Sequence, residues 1–285
     1  MQGSICLITG GTSGIGKAAA IALARNGATL VLAARTQARG EQAAHDIRQA
    51  IAGATVHVLV CDLASQASIR AFAAEFRKTF DRLDVLLHSG AAVFAERRLT
   101  EDGVERNLAT AYLSIFLIAT LLRDMLLASA PARVVIVTGE YHRKTSLDFE
   151  NLQGEKHFSM IEAGSRAALA KVVFAITLSR RLEGSGVTVN ALHPGAVRTG
   201  LLRNLPWYLR AAAFPVQWFF ASPEKGATTP VYLASSPAVN GVSGKYFIDC
   251  REVAPSAEAL DAKVGETLWQ ASEALVLASA QPIKS

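Results

Sequence analysis

Apolar runs of strand length alternate with amphipathic helical patterns along almost the whole chain, and this alternation limits the possible folds more than any other feature. Strands are predicted at 5–10, 29–35, 56–63, 85–90, 133–139, 187–195 and 244–249. Helices are predicted over 15–27, 39–53, 66–80, 103–128, 160–183 and 257–278. Continuous apolar strands separated by helices are typical of a parallel sheet covered on both faces. The sequence therefore predicts an α/β fold, a doubly wound parallel sheet of about seven strands with helices on both faces.

No repeat, low-complexity tract or linker divides the chain, so residues 1–285 are predicted to form a single domain. Hydrophobic residues make up 51% of the chain and charged residues 19%, which excludes a disordered protein. The net charge is +5, but Lys and Arg are dispersed without a run of five or six. This dispersal indicates a solvated surface and no nucleic-acid partner.

The cysteines and the apolar segments bear on the cellular compartment. Cys6, Cys61 and Cys250 show neither metal-ligand spacing nor a disulfide framework, which suits a reducing compartment. The first strand follows Met1 so closely that no signal peptide is expected. The least polar segment, 201–220, contains two arginines and two prolines, which argues against an integral membrane span. We therefore expect a cytoplasmic protein without a metal site.

A glycine-rich loop, TGGTSGIG at 9–16, follows the first strand and leads into the first helix. Its glycines permit a tight turn and a close approach of the backbone to a pyrophosphate, and the helix N-terminus supplies N–H groups and a partial positive charge. The spacing differs from G-x-G-x-x-G, but the position between strand and helix favours a dinucleotide loop over a turn that binds nothing. The fold expected is therefore Rossmann-like. The candidate phosphate-binding residues are Gly10, Thr12, Ser13, Gly14, Ile15 and Gly16.

The ends of the second and third strands carry residues that distinguish between cofactors. An acid after the second strand usually binds the ribose hydroxyls of NAD, whereas an arginine suits the 2′-phosphate of NADP. Arg35 stands at this position and predicts NADP(H), the alternative being an ordinary surface arginine. Asp62, with Leu63 beside it, is predicted to accept a hydrogen bond from the adenine amino group or, alternatively, to cap the next helix.

The chain resembles the short-chain dehydrogenase/reductase family, and in particular its retinol-dehydrogenase-like branch. The resemblance extends from about residue 4 to 276. It rests on the glycine loop, CDL at 61–63, DGVERN at 102–107, LQGEK at 152–156, RRLEGSGV at 180–187, HPGAVRTG at 193–200, SPEKGATTPVYLASSP at 222–237 and GVSGKYFIDC at 241–250. It implies a seven-stranded sheet, a nicotinamide cofactor, and association into a homodimer or homotetramer.

The resemblance also implies where the rest of the cofactor binds. The Pro-Gly after the sixth strand, the residues that follow it, and the segment after the fourth strand all match family positions, although that last segment reads His88-Ser89-Gly90-Ala91 in place of Asn-Asn-Ala-Gly. His88 either faces the cofactor or fills a gap, and His142 and His193 fit family positions with structural roles. The implied cofactor-site residues are Ser89, Gly90, Asn107, Pro194, Gly195, Val197 and Thr199.

The resemblance fails at three catalytic positions. The family uses a Tyr for proton transfer, a Lys four residues later that lowers the pKa of the phenol, and a Ser that orients the substrate oxygen. These positions hold Gly164, Ala168 and Gly139, and a register that uses Lys171 would put Ala167 in place of the Tyr.

Loss of a positioned general acid typically costs about 10²–10⁴-fold in rate, so another group is needed if the chain is to catalyse the family reaction. Glu140 and Tyr141 follow the fifth strand at the rim of the expected pocket and are the candidate catalytic residues. The alternative is that they are a solvated loop acid and a packing aromatic.

Three functions are compatible with this pattern. The first, slightly favoured, is a non-redox cyclase or isomerase that acts on an apolar small molecule and retains NADP(H) without hydride transfer. The second is an NADP(H)-dependent carbonyl reductase or alcohol dehydrogenase with a substitute acid. The third is a ligand- or cofactor-binding protein without catalysis. The apolar segment at about 200–225 is predicted to cover the substrate or, equally, to pack against another subunit.

Overall fold

A computed structural model describes residues 1–197 and 220–278, and its strands form one eight-stranded sheet in the order β3-β2-β1-β4-β5-β6-β7-β8. Strand order reverses between β1 and β4, which is the switch point where ligands bind in doubly wound sheets. The strands are β1 Ile5–Thr9, β2 Thr29–Ala34, β3 Val56–Val60, β4 Val85–His88, β5 Ala132–Val137, β6 Val187–His193, β7 Tyr246–Ile248 and β8 Arg251–Glu252.

The predicted doubly wound α/β sheet is confirmed, with one strand more than expected. Strands β1 to β7 run parallel, and β8 returns antiparallel to β7. Asp249 and Cys250 form the two-residue connection with φ values of 48° and 61°. Both φ values are positive, as in the tight turns that join antiparallel strands. The two residues of β8 are exposed and charged, so they lack the apolar pattern by which the other strands were predicted.

Helices cover both faces of the sheet. They are α1 Gly14–Arg25, α2 Gln37–Ala50, α3 Gln66–Thr79, α4 Arg106–Leu108, α5 Ser114–Leu121, α6 Arg123–Ala128, α7 Met160–Arg181, α8 Pro223–Ser235, α9 Ala257–Leu260 and α10 Ala262–Ala278. A π-helical turn spans Ala109–Leu113, and 3₁₀ turns span Glu140–Lys144 and Pro237–Val239. Within the described ranges, no helix has both the length and the apolar character needed to cross a membrane.

The helix predicted over 103–128 is an interrupted series. It begins only at Arg106, because the Glu105 carboxylate caps α4 by accepting hydrogen bonds from the N–H groups of Asn107 and Leu108, both at 2.8 Å. The π-helical turn then separates α4 from α5, and Leu122 separates α5 from α6. Periodicity over the whole region indicated the helical content but not these breaks.

Alternate residues of the strands enter two hydrophobic cores, one on each face. In β1, Leu7 belongs to the core that also contains Phe116 of α5, whereas Ile8 belongs to the core that contains Leu23 of α1. Leu7, Ile8 and Leu23 have no exposed surface. The strands are apolar throughout because both of their faces are buried.

The packing of α2 on the sheet depends on Gly40. A Cβ at this position would overlap the Val58 side chain and lie 3.0 Å from the Ala34 Cβ. We expect Gly40→Ala to lower the free energy of unfolding by about 1–3 kcal/mol, because α2 must move away from the sheet. Urea unfolding measures this change.

Gly164→Ala is the matched control. A Cβ on this helical glycine meets no atom of the described residues within 4 Å. It should therefore raise the free energy of unfolding by about 0.5–1 kcal/mol through helix propensity. A Gly40→Ala variant as stable as the parent would contradict the close contact between α2 and β3.

Candidate active site

The carboxyl ends of β1 and β4 approach each other closely at the switch point. Gly10, with φ +70°, follows β1, and a Cβ on it would lie 2.7 Å from backbone atoms of Ser89 and Gly90. A Cβ on Gly16 would overlap the Gly10 carbonyl oxygen. The structure thus brings together four of the predicted cofactor residues, and the backbone contacts leave no room for a side chain at Gly10 or Gly16.

The N-terminus of α1 opens beside this contact. Ser13 is the N-cap residue, it is exposed, and its hydroxyl caps no backbone group of the helix. Gly14 has φ +55°, Thr12 is half-buried and Ile15 is buried. The free N–H groups of a first helical turn and an unengaged hydroxyl are suited to binding the phosphates of a dinucleotide.

Arg35 directly follows β2, and Asp62 follows β3 by two residues, as the sequence predicts. Arg35 is exposed, and Asp62 accepts a hydrogen bond from the Ala64 N–H at 3.0 Å. The alternative that Asp62 caps the next helix is wrong, because Ser65 is the N-cap of α3 and its hydroxyl accepts from the Ser68 N–H. A Cβ on Gly90 would overlap the Leu63 side chain, so the β3 and β4 ends are also in contact.

The segment after β6 lies near the first turn of α1 and forms another part of the candidate site. Pro194 and Gly195 are half-buried, and Val197 forms a parallel bridge with Ala221. On α8, a Cβ at Gly226 would lie 2.5 Å from Val197 and 3.1 Å from Ile15. Val197 therefore lies beside the first turn of α1. Thr199 lies outside the described residues, as does most of the predicted lid at 200–225.

The three positions to which the sequence resemblance assigns the family's catalytic side chains lie at the end of β5 and on α7. Gly139 follows β5 by two residues, and a Cβ there would have its nearest described neighbour at 4.0 Å, on Tyr141. A Cβ on Gly164 would meet no atom of residues 1–197 and 220–278 within 4 Å, and the carbonyl of the buried Ala168 accepts a hydrogen bond from the Thr138 hydroxyl at 2.9 Å. This bond joins α7 to the residue before Gly139. Among the described residues, no atom comes closer than 4.0 Å to a Cβ placed on Gly139 or Gly164.

Glu140 and Tyr141 lie at the rim of this space, in the 3₁₀ turn after β5. The Glu140 carboxylate accepts a hydrogen bond from Arg143 at 3.2 Å, and its side chain is 42% exposed. Tyr141 is 61% exposed. The Glu140–Arg143 ion pair is therefore partly solvated and is not enclosed in an apolar pocket. Catalytic roles for both residues stay predictions.

His142 and His88 make hydrogen bonds within the scaffold. His142 is buried, and its ring nitrogens hydrogen-bond the Gly139 carbonyl at 2.9 Å and the Ser256 N–H at 3.3 Å. His88 ends β4 with no exposed surface, and its ring contacts the Thr9 hydroxyl at 2.8 Å and the Ala111 carbonyl at 3.2 Å. Burial lowers the pKa of His88 to about 3, so its ring is neutral. Of the two alternatives for His88, the structure thus favours a structural role.

Lys171 carries a buried amine. In the sequence analysis this lysine appears only in an alternative register of the catalytic helix. It lies on α7, is 5% exposed, and donates a hydrogen bond to the Val137 carbonyl at 2.8 Å. Burial lowers its pKa to about 8. The only sequence signal was a lysine inside the apolar run ALAKVVFAIT, residues 168–177.

The sheet order and the glycine loop define a Rossmann-like dinucleotide-binding domain. A family model described as short chain dehydrogenase matches residues 4–207. This chain belongs to the short chain dehydrogenase family.

Curated relatives resemble the chain over nearly its whole length. Retinol dehydrogenase 14 from Mus musculus is 40% identical over 289 residues, which is 97% of this chain and 86% of the relative. Retinol dehydrogenase 13 from Mus musculus is 41% identical over 282 residues, which is 97% of this chain and 84% of the relative. The resemblance to retinol-dehydrogenase-like proteins is confirmed. These relatives favour an NAD(P)-dependent oxidoreductase over the cyclase or isomerase expected first.

Solved structures agree on the fold. A protein from Mycobacterium Paratuberculosis superposes with a TM-score of 0.77 at 28% identity and covers 97% of this chain and 94% of its own. An NADP active-site complex of Pseudomonas aeruginosa RhlG superposes with a TM-score of 0.68 at 23% identity. The superposition covers 87% of this chain and 94% of that protein.

Arg35 offers a direct test of cofactor preference. We expect Arg35→Ala to weaken NADPH binding about 10–100-fold, because hydrogen bonds to charged groups contribute about 1.5–3 kcal/mol, and to leave NADH binding nearly unchanged. Isothermal titration calorimetry with both nucleotides measures the difference. Arg25→Ala, which removes another exposed arginine at the far end of α1, should change neither affinity. Equal losses for both nucleotides in Arg35→Ala would show that Arg35 does not recognise the 2′-phosphate.

Proposed function

We propose that this protein is an NADP(H)-dependent oxidoreductase that interconverts a carbonyl and an alcohol on an apolar small molecule. The observation that carries the proposal is the glycine cradle at the switch point, where Gly10 and Gly16 are held against Ser89 and Gly90. A cradle of this kind binds phosphates through backbone N–H groups, and it has no other evident use in a protein of this family.

Different residues of the chain would bind different parts of the cofactor. Thr12, Ser13 and the first turn of α1 bind the pyrophosphate, and Arg35 binds the 2′-phosphate. Asp62 accepts from the adenine, and the segment Pro194–Val197 binds the carboxamide. When bound, the nicotinamide supplies or accepts the hydride. In the reduction the carbonyl carbon gains this hydride and the carbonyl oxygen gains a proton.

The proton must come through groups other than the family's phenol. A Cβ atom on Gly139 or on Gly164 would have no atom of the described residues closer than 4.0 Å. This leaves room for water beside both positions. We infer that water in this space passes the proton between solvent and the substrate oxygen, with Tyr141 or Glu140 at its outer edge. Water is a weaker acid than a positioned phenol, so a slow reaction is expected.

The proposed substrate is a long apolar alcohol or aldehyde. The names of the mouse relatives are those of retinol dehydrogenases, and retinol is an apolar alcohol. Two exposed apolar residues, Tyr141 and Ile161, lie on elements that pack against each other at the rim, with 61% and 69% of their surface exposed. A rim of this character suits an apolar molecule better than a sugar or a nucleotide.

A non-redox rearrangement is the second candidate, and the glycine and alanine at positions 139, 164 and 168 are what favour it. It differs from the proposed function in one measurable respect, because it turns over without a change in the nucleotide. A binding protein would show neither turnover nor nucleotide consumption.

Deuteride transfer tests the proposed function. We expect the parent protein to transfer deuterium from 4-deuterated NADPH to long-chain apolar aldehydes, as detected by mass spectrometry of the alcohol. The triple variant Gly139→Ser, Gly164→Tyr, Ala168→Lys should raise kcat about 10²–10⁴-fold, because it restores a positioned acid.

The matched control replaces Gly164→Tyr in this triple variant by Gly164→Phe. It fills the same space without an acidic hydroxyl, so it should give no gain in kcat. Product formation without nucleotide oxidation would favour the rearrangement instead, and no transfer to any aldehyde in the parent or the triple variant would overturn the proposed function.

A further inference from the structure

The buried amine of Lys171 lies on α7 close to the end of β5. On α7 it follows Ala168 by three residues, which is close to one helical turn, and helical side chains lean toward the N-terminus. Its Nζ therefore reaches the end of β5, where it donates to the Val137 carbonyl at 2.8 Å. Val137 precedes Gly139 by two residues on the same strand end, so the ammonium lies near the position to which the resemblance assigns the group that orients the substrate oxygen.

No opposite charge neutralises this amine within residues 1–197 and 220–278. The ion pairs of the described residues do not include Lys171. Its neighbour His88 is kept neutral, first by burial and then by the Lys171 charge itself. A buried charge without a counter-ion is costly, and its field is weakly screened.

The elements packed around α7 carry other titratable and charged groups. They are Glu140, Tyr141, His142, Arg143 and Lys144 in the 3₁₀ turn, Glu105 and Arg106 at α4, Tyr112 in the π-helical turn, Arg133 on β5, His193 on β6, Glu258 on α9, and Lys263, Glu266 and Glu273 on α10. Glu140 pairs with Arg143, Glu266 pairs with Arg181, and Glu105 caps α4. Lys171 is a buried cation at the Val137 carbonyl and belongs to none of these pairs.

We propose that Lys171 is a positioning residue that stabilises negative charge on a ligand oxygen above the end of β5, and that the same pocket consequently binds apolar carboxylates. The inference rests on the proposed function, since it assumes that the substrate oxygen lies above Gly139. In the reduction, negative charge develops on the carbonyl oxygen as hydride arrives, and the ammonium lowers the energy of that state. A carboxylate presents a comparable negative oxygen in a stable molecule.

The test compares decanoate with decanamide, its neutral counterpart, on the NADPH-loaded protein by calorimetry. We expect decanoate to bind about tenfold more tightly at about pH 6.5 than at about pH 9.5, where it remains fully ionised but the Lys171 amine is neutral. The sign follows from a pKa of about 8, since the ammonium is present below that value and lost above it. Decanamide affinity should be the same at both pH values.

Two variants separate charge from structure. Lys171→Met should abolish the pH dependence and reduce decanoate affinity at the lower pH about tenfold, with decanamide unchanged. Lys171→Arg should keep the affinity at the higher pH, because a guanidinium stays charged there. If Lys171→Met does not fold, the Lys171→Arg comparison still decides, since a purely structural lysine would give arginine no advantage at high pH.

Three results would overturn the inference. They are pH dependence that persists in Lys171→Met, equal losses for decanoate and decanamide, or no decanoate binding by the parent. Failure of deuteride transfer with pH-dependent decanoate binding intact would instead remove the proposed redox function and leave the role of Lys171.

Discussion

The close contact between the ends of β1 and β4 is the constraint on which the rest of the site depends. Gly10 lies in the left-handed region, with backbone atoms of Ser89 and Gly90 at 2.7 Å from where its Cβ would be. A side chain at Gly10 would separate these strands at the switch point, and one at Gly16 would push α1 away from the loop. Backbone N–H groups can converge on a phosphate only while both positions carry no side chain.

The same contact organises the polar layer beneath the site. Thr9 and His88 are the last residues of β1 and β4, and the Thr9 hydroxyl contacts both the His88 ring at 2.8 Å and the Gly90 N–H at 3.3 Å. The His88 ring continues to the Ala111 carbonyl in the π-helical turn. Because this imidazole is buried and neutral, the positive charge of the layer rests on Lys171. The dinucleotide cradle and the buried amine are thus parts of one packed unit.

Structural features that follow from the local sequence pattern could be predicted. Features that depend on how distant segments pack together could not. The parallel strands and the loop at 9–16 follow from apolar runs and glycine spacing. Strand β8 escaped prediction because Arg251 and Glu252 pair only through the turn at Asp249 and Cys250. Lys171 escaped it because a lysine on a helix is normally solvated, whereas α7 packs between the sheet and α10. Lys171 is buried only because the sheet and α10 pack on either side of α7.

Two residues about two turns apart on α7, Gly164 and Lys171, both cost stability. A glycine inside a helix costs about 0.5–1 kcal/mol relative to alanine, and an unpaired buried amine adds a desolvation cost. A Cβ on Gly164 would contact no described residue within 4 Å, and Lys171 donates a hydrogen bond to the Val137 carbonyl. Unfavourable choices that packing does not require tend to occur where function needs them. The proposed role of Lys171 accounts for the second of these costs, because a buried ammonium close to the end of β5 stabilises negative charge on a ligand oxygen there.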